Sequence, residues 1–214
     1  VLPFTVEQFF GVFAAYNRAT WPAPLLAYGA AAVTLALALR GGRAAGRAVP
    51  ALLAALWAFT GVAYHWAFFA PINPMARIAA VLFVAQAGLL LWLGWRGAVA
   101  FGPPRPRRDV AIGLALVAYA AVLYPLLGEL AGHGWPAGPS FGVTPCPLVI
   151  FTCGLLLLAQ GRVPPALLVV PLLWSAIGGS AAVLLDVPQD WMLPVAGATA
   201  AVLLLRRPRV SRAA

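Results

Sequence analysis

Seven apolar runs follow one another along the chain, near residues 21–39, 50–69, 78–95, 110–130, 147–160, 167–185 and 191–205, with only short connections between them. A helix needs about 20 residues to cross a hydrocarbon core about 30 Å thick, which is the scale of these runs. They are apolar on every face, whereas the strands of a membrane barrel alternate apolar and polar residues. Inside lipid every backbone N–H and C=O must find an internal partner, which leaves helices. Charged residues make up 9% of the chain, against roughly 25% in a soluble domain. No water-facing surface can be built from so few. The expected fold is all-α, a polytopic bundle of about seven transmembrane helices.

The arginines orient this bundle. All fourteen basic residues are Arg. Twelve of them fall in the connections after the first, third and fifth runs or in the tail: Arg40, Arg43, Arg47, Arg96, Arg105, Arg107, Arg108, Arg162, Arg206, Arg207, Arg209 and Arg212. Only Arg18 and Arg77 fall on the opposite side. Cytoplasmic loops carry the excess of basic residues, so the N-terminus is expected outside and the C-terminus in the cytoplasm. Glu7, Glu129, Asp186 and Asp190 then lie outside and Asp109 inside. The net charge of +9 would point to nucleic acid in a soluble protein. Here it sets topology, and the expected partner is the lipid bilayer, with no nucleic acid. The N-terminus lacks a basic stretch followed by an apolar core, so no cleavable signal peptide is expected. No internal repeat of the kind found in many secondary transporters is visible. The chain divides into an extracytoplasmic interfacial helix (1–20), a seven-helix domain (21–205) and a basic cytoplasmic tail (206–214).

Residues 4–16 read as a helix that does not span. Thr5 and Gln8 have the spacing of a capping box, and Phe4 with Phe9 that of a hydrophobic staple. Phe9, Val12, Phe13 and Tyr16 recur at helical spacing as one apolar face for the membrane interface.

The uncommon polar residues gather at the outer ends of the runs: Tyr64, His65, Glu129, His133, Cys146 and Asp190 form a candidate polar recess. Trp57, Gly61 and His65 follow one another at four-residue intervals, with Tyr64 beside them; the aromatic rings would equally serve as headgroup anchors. Glu129 and His133 share a helical face if the helix continues through Gly132. In Thr144-Pro145-Cys146-Pro147, Pro147 suits a first helical position. Cys146 then becomes the N-cap, where the helix dipole would favour a thiolate. A transition-metal site drawn from His65, His133, Glu129 and Cys146 remains open, as does an inert role for each. With no lysine to form a Schiff base, retinal is not expected. Cys146 and Cys153 are two turns apart on one helix, about 10 Å, too far for a disulfide. Gln86 and Thr152 read as interhelical hydrogen-bonding residues, and Ser175, Gly178, Gly179 and Ser180 as a small-residue packing surface.

PFTVEQFF (Pro3–Phe10), YHWAFFAPINP (Tyr64–Pro74), YPLLG with AGHG (Tyr124–Gly134), PCP (Pro145–Pro147) and WSAIGGSAA (Trp174–Ala182) together resemble a family of small bacterial multi-pass membrane proteins classed only as a domain of unknown function. Members are sometimes labelled transporter permeases of the major facilitator type. The resemblance implies a bacterial cytoplasmic membrane location and supplies no catalytic residues. The chain departs from that superfamily, with about seven spans against twelve. The reading taken first is a small-solute or ion carrier with an outward-facing polar recess. A membrane-embedded metal or thiol enzyme and an accessory subunit of a membrane complex are the alternatives. A homo-oligomer or a partner membrane protein fits any of the three.

Overall fold

The structure, a computed structural model, describes residues 3–207; most of the expected basic tail, Arg209 and Arg212 included, lies outside the described residues. The fold is all-α. In chain order the helices are α1 (Val6–Ala19), α2 (Ala23–Arg40), α3 (Arg43–Phe59), α4 (Ala76–Trp95), α5 (Arg107–Ala118), α6 (Tyr124–Leu130), α7 (Pro145–Leu157), α8 (Ala166–Leu184) and α9 (Met192–Leu205). The end of α3 widens into a π-helical segment, Thr60–Phe69, and a π-helical turn, Tyr119–Leu123, joins α5 to α6. A 3-10 turn, Pro188–Trp191, leads into α9. Five continuous helices are long and apolar enough to cross a membrane: Ala23–Arg40, Arg43–Phe69, Ala76–Trp95, Arg107–Leu130 and Ala166–Leu184. The remaining two apolar runs form the shorter α7 and α9.

The capping box at the start of α1 is present. Gln8 N–H donates to Thr5 Oγ1 at 3.2 Å and Thr5 N–H to Gln8 Oε1 at 2.9 Å. Phe4 stacks on Phe9. The apolar face, however, is turned into the protein. Phe9, Phe10, Phe13 and Tyr16 are buried, with Phe13 stacked 5.1 Å from Tyr64 and Phe9 edge-on to Phe69. Tyr16 donates to the Val143 carbonyl at 2.6 Å, and Asn17 to those of Pro136 and Gly138. These long-range bonds fasten α1 across the end of the bundle.

The helix of the second run starts at Arg43, seven residues before the expected boundary at 50. Pro50 is carried inside it, at the cost of one backbone bond. Gly94 of α4 lies opposite, where an added Cβ would come within 2.7 Å of the Pro50 ring. A two-residue antiparallel pairing, Ala100–Phe101 with Ala159–Gln160, was not expected. The Phe101 carbonyl also accepts from Gly42 N–H at 3.1 Å, so the connection after α4 is pinned to that before α3.

At the centre stands α7. Every residue from 141 to 159 is buried. Gly113 of α5 and Gly154 of α7 face each other, and a Cβ on either would lie 2.7 Å from the other's carbonyl oxygen; small residues let the two backbones meet. Trp57 Nε1 donates to Thr152 Oγ1 at 2.9 Å, and Gln86 to the Leu167 carbonyl at 3.0 Å. Gly179 of α8 takes Pro194 of α9 against it. At the other end of α7, two arginines bind backbone carbonyls. Arg105 donates to the Leu158 and Ala38 carbonyls, and Arg207 to those of Leu157, Ala159 and Gly161. They satisfy carbonyls that a helix end leaves free. Arg207 also pairs with buried Asp109 at 2.7 Å.

Exposed tryptophans lie toward both ends. Arg77 sits over Trp66 at one end of α4; at the other, Arg47 sits over Trp95 and Arg96 over Trp92. The rise from Arg77 to Trp95 is about 27 Å of helix.

Candidate functional site

The π-helical end of α3 turns both Tyr64 and His65 inward, although they are sequence neighbours. Ala70 N–H bonds to the His65 carbonyl, the five-residue step of such a segment. π-helical turns recur at functional sites. Gly61 permits this by letting α4 approach, with the Ala80 carbonyl 3.1 Å from where a Cβ would stand. The His65 ring is boxed edge-on by Phe83 at 4.6 Å, Trp174 at 4.9 Å and Tyr64 at 5.1 Å. Its solvent exposure is 0%, and neither ring nitrogen has a hydrogen-bond partner. Thr60 Oγ1 and the Trp174 indole N–H are unpaired too. Buried polar groups are nearly always hydrogen-bonded, so this cluster calls for an explanation.

The second group is assembled from the starts of α6, α7 and α9. Thr144, in extended conformation, is the N-cap of α7, and Pro145, Cys146 and Pro147 form its first turn. This corrects the expectation that Cys146 is the cap. The first amides of a helix have no internal acceptor, so both prolines fit there without cost. Cys146 is buried beside Asp190, Tyr124 and Trp174. Cys146 keeps its place at the positive end of the α7 dipole, but the side chains around it are a carboxyl and rings, not cations. Tyr124 donates to Asp190 Oδ1 at 2.5 Å, and Asp190, 2% exposed, sits just before α9. There the positive end of the helix dipole favours a carboxyl.

Tyr64, His65, Cys146 and Asp190 all line one cavity of about 280 Å³. Phe4, Phe9 and Phe13 roof it from the α1 side. Of the exposed residues on its wall, Met75, Ile78, Leu173, Ile177 and Leu184 are large and apolar and Ser180 is polar, and they belong to α4, its approach and α8. The cavity therefore opens sideways between α4 and α8.

Glu129 and His133 are not brought to this wall. The helix stops at Leu130, where Gly132 turns the chain with φ of 82° and His133 N–H bonds back to the Gly128 carbonyl. The shared helical face expected for the pair does not form. His133 stacks flat on Phe10 at 3.6 Å and lines a second cleft of about 220 Å³ with Trp21, Tyr28 and Gln189. The exposed Glu129 folds its carboxylate against Gly134. Among the described residues no three His, Cys, Asp or Glu side chains stand close enough to share a metal ion. His65, His133, Glu129 and Cys146 thus do not converge as a metal set. Cys146 and Cys153 are free and buried.

Two residues of the cavity region escaped the sequence reading, Tyr124 and Trp174. Each opens one of the stretches that carry the family resemblance, YPLLG and WSAIGGSAA, and that position was the available signal. No curated protein and no solved structure matches the chain. One family model does, over residues 6–214. The chain belongs to that family, described as a family of unknown function (DUF6064).

Proposed function

We propose that the chain is a seven-span protein of the bacterial cytoplasmic membrane, N-terminus outside and C-terminus inside. It works there as a permease-like carrier that binds its solute in the cavity at the outer end. Five helices of spanning length support the membrane reading. So do the tryptophans exposed toward both ends, placed as interfacial belts place them, and the roughly 27 Å between Arg77 and Trp95, close to one hydrocarbon core. The shorter α7 fits as a sixth span because other helices surround it; it has no lipid thickness to match. α9, lengthened by its 3-10 turn, is the seventh. The orientation rests on the arginine distribution.

The observation that carries the carrier reading is the convergence of Tyr64, His65, Cys146 and Asp190 on one cavity. Its buried histidine has no partner of its own. His65 has no base beside it among the described residues; an enzyme reading would rest on Cys146, which lies against the Asp190 carboxyl. The test is flux. Proteoliposomes are followed by light scattering with urea, glycerol and short polyols, by a trapped pH dye for ions, and by dithionite quenching of fluorescent single-chain lipids. At least one probe should move faster than in empty liposomes, and Ile177→Trp, which fills the mouth, should remove the excess. Identical rates for every probe would end the carrier reading.

A further inference from the structure

We infer that the cavity holds an uncharged single-chain amphiphile, drawn sideways from the membrane between α4 and α8, with a hydroxyl head hydrogen-bonded to His65. The inference rests on the carrier reading's cavity and names what that cavity takes.

The size comes first. A cavity of about 150 Å³ holds benzene, with its six ring carbons. In proportion, about 280 Å³ takes roughly eleven non-hydrogen atoms, the size of a ten-carbon chain bearing one hydroxyl.

The lining decides the chemistry. Phe4, Phe9, Phe13, Phe69, Leu82 and Phe83 dominate it. An ion or a sugar entering such a wall would lose its hydration with little in return, whereas an alkyl chain gains from it. Asp190 is already engaged by Tyr124. Among the described residues no carboxylate lies within ion-pair distance of the His65 nitrogens. A buried imidazole without a counter-charge is held uncharged, offering one N–H donor and one acceptor nitrogen. A hydroxyl, which both donates and accepts, matches either nitrogen once the rings that box His65 shift to admit it. The unpaired Trp174 indole N–H beside the ring can donate to the same oxygen.

The entrance agrees. The water-facing side is closed by α1, fastened by the bonds of Tyr16 and Asn17. The exposed rim residues, Ile78, Leu173 and Ile177 among them, are apolar except for Ser180, whose hydroxyl donates to the Ile177 carbonyl.

The protein, reconstituted in liposomes, is irradiated with a diazirine analogue of 1-decanol and the adducts are mapped by mass spectrometry. Adducts should concentrate in 78–83 and 173–177. They should be competed by 1-decanol and not by decane at equal membrane fraction. His65→Phe should weaken that competition about fivefold to tenfold, the value of one hydrogen bond. Ile177→Trp, which leaves His65 in place, should abolish the adducts. Adducts spread equally over outward positions such as Leu126 and Val202 would overturn the proposal. So would decane competing as well as decanol, or decylamine outcompeting it in a manner lost with Asp190→Asn, or His65→Phe behaving as the native chain. Flux of a polar solute without these adducts would overturn it while leaving the carrier reading standing. Adducts without flux would support it and remove the carrier.

Discussion

Arg207 has its whole guanidinium inside the protein, on Asp109 and on three carbonyls at and just beyond the end of α7. Removing one partner of a buried pair strands the other charge, which costs about 3–5 kcal/mol, while replacing both with apolar residues is often neutral. Asp109→Ala should therefore lower the detergent unfolding midpoint far more than Asp109→Leu combined with Arg207→Met. A larger loss for the double variant would mean that the carbonyl bonds, which only it removes, and not the ion pair, hold this end. Residue-scale contacts were legible from sequence only when local. Thr5 and Gln8 lie three positions apart, so helical geometry alone predicts their bonds. Tyr124 and Asp190 are 66 positions apart, and no periodicity links them. Glu129 and His133 looked local but were separated by a glycine, and the chain turned there.

At the scale of elements, the seven apolar runs became seven helices because burying backbone in an apolar setting leaves little choice. Their ends were harder to place. Pro50 marks a boundary by the usual rule, yet α3 runs through it because Gly94 gives the ring room. The π-helical widening of α3 has no signature in the run Thr60–Phe69 itself, and it sets the direction of His65. The periodicity of α1 reveals its apolar face but not what that face meets. The same face of Phe9, Phe13 and Tyr16 suits a lipid interface or a protein groove, and only the partners Tyr64, Phe69 and the Val143 carbonyl distinguish them.

For the whole molecule, the orientation rests on one asymmetry of charge and has a direct check. Pro104→Cys, exposed near the arginine-rich end, should resist an impermeant maleimide in intact cells, while Ala137→Cys, at the opposite end, should react. The reverse pattern would invert the assignment. Both native cysteines are buried, so neither confuses the result.

The enclosure of α7 has a consequence for how the chain is made. A ribosome delivers α7 before α8 and α9, the helices that later cover it. For that interval the future centre of the bundle stands with a flank uncovered, so its burial is acquired late. Cys153, with 0% exposure in the finished protein, reports on that stage. It should be alkylated readily in a solubilised chain truncated after Pro165 and resist in the complete one. Equal resistance in both would mean that α3 and α5 alone enclose α7, and that its place is settled before the last two helices exist.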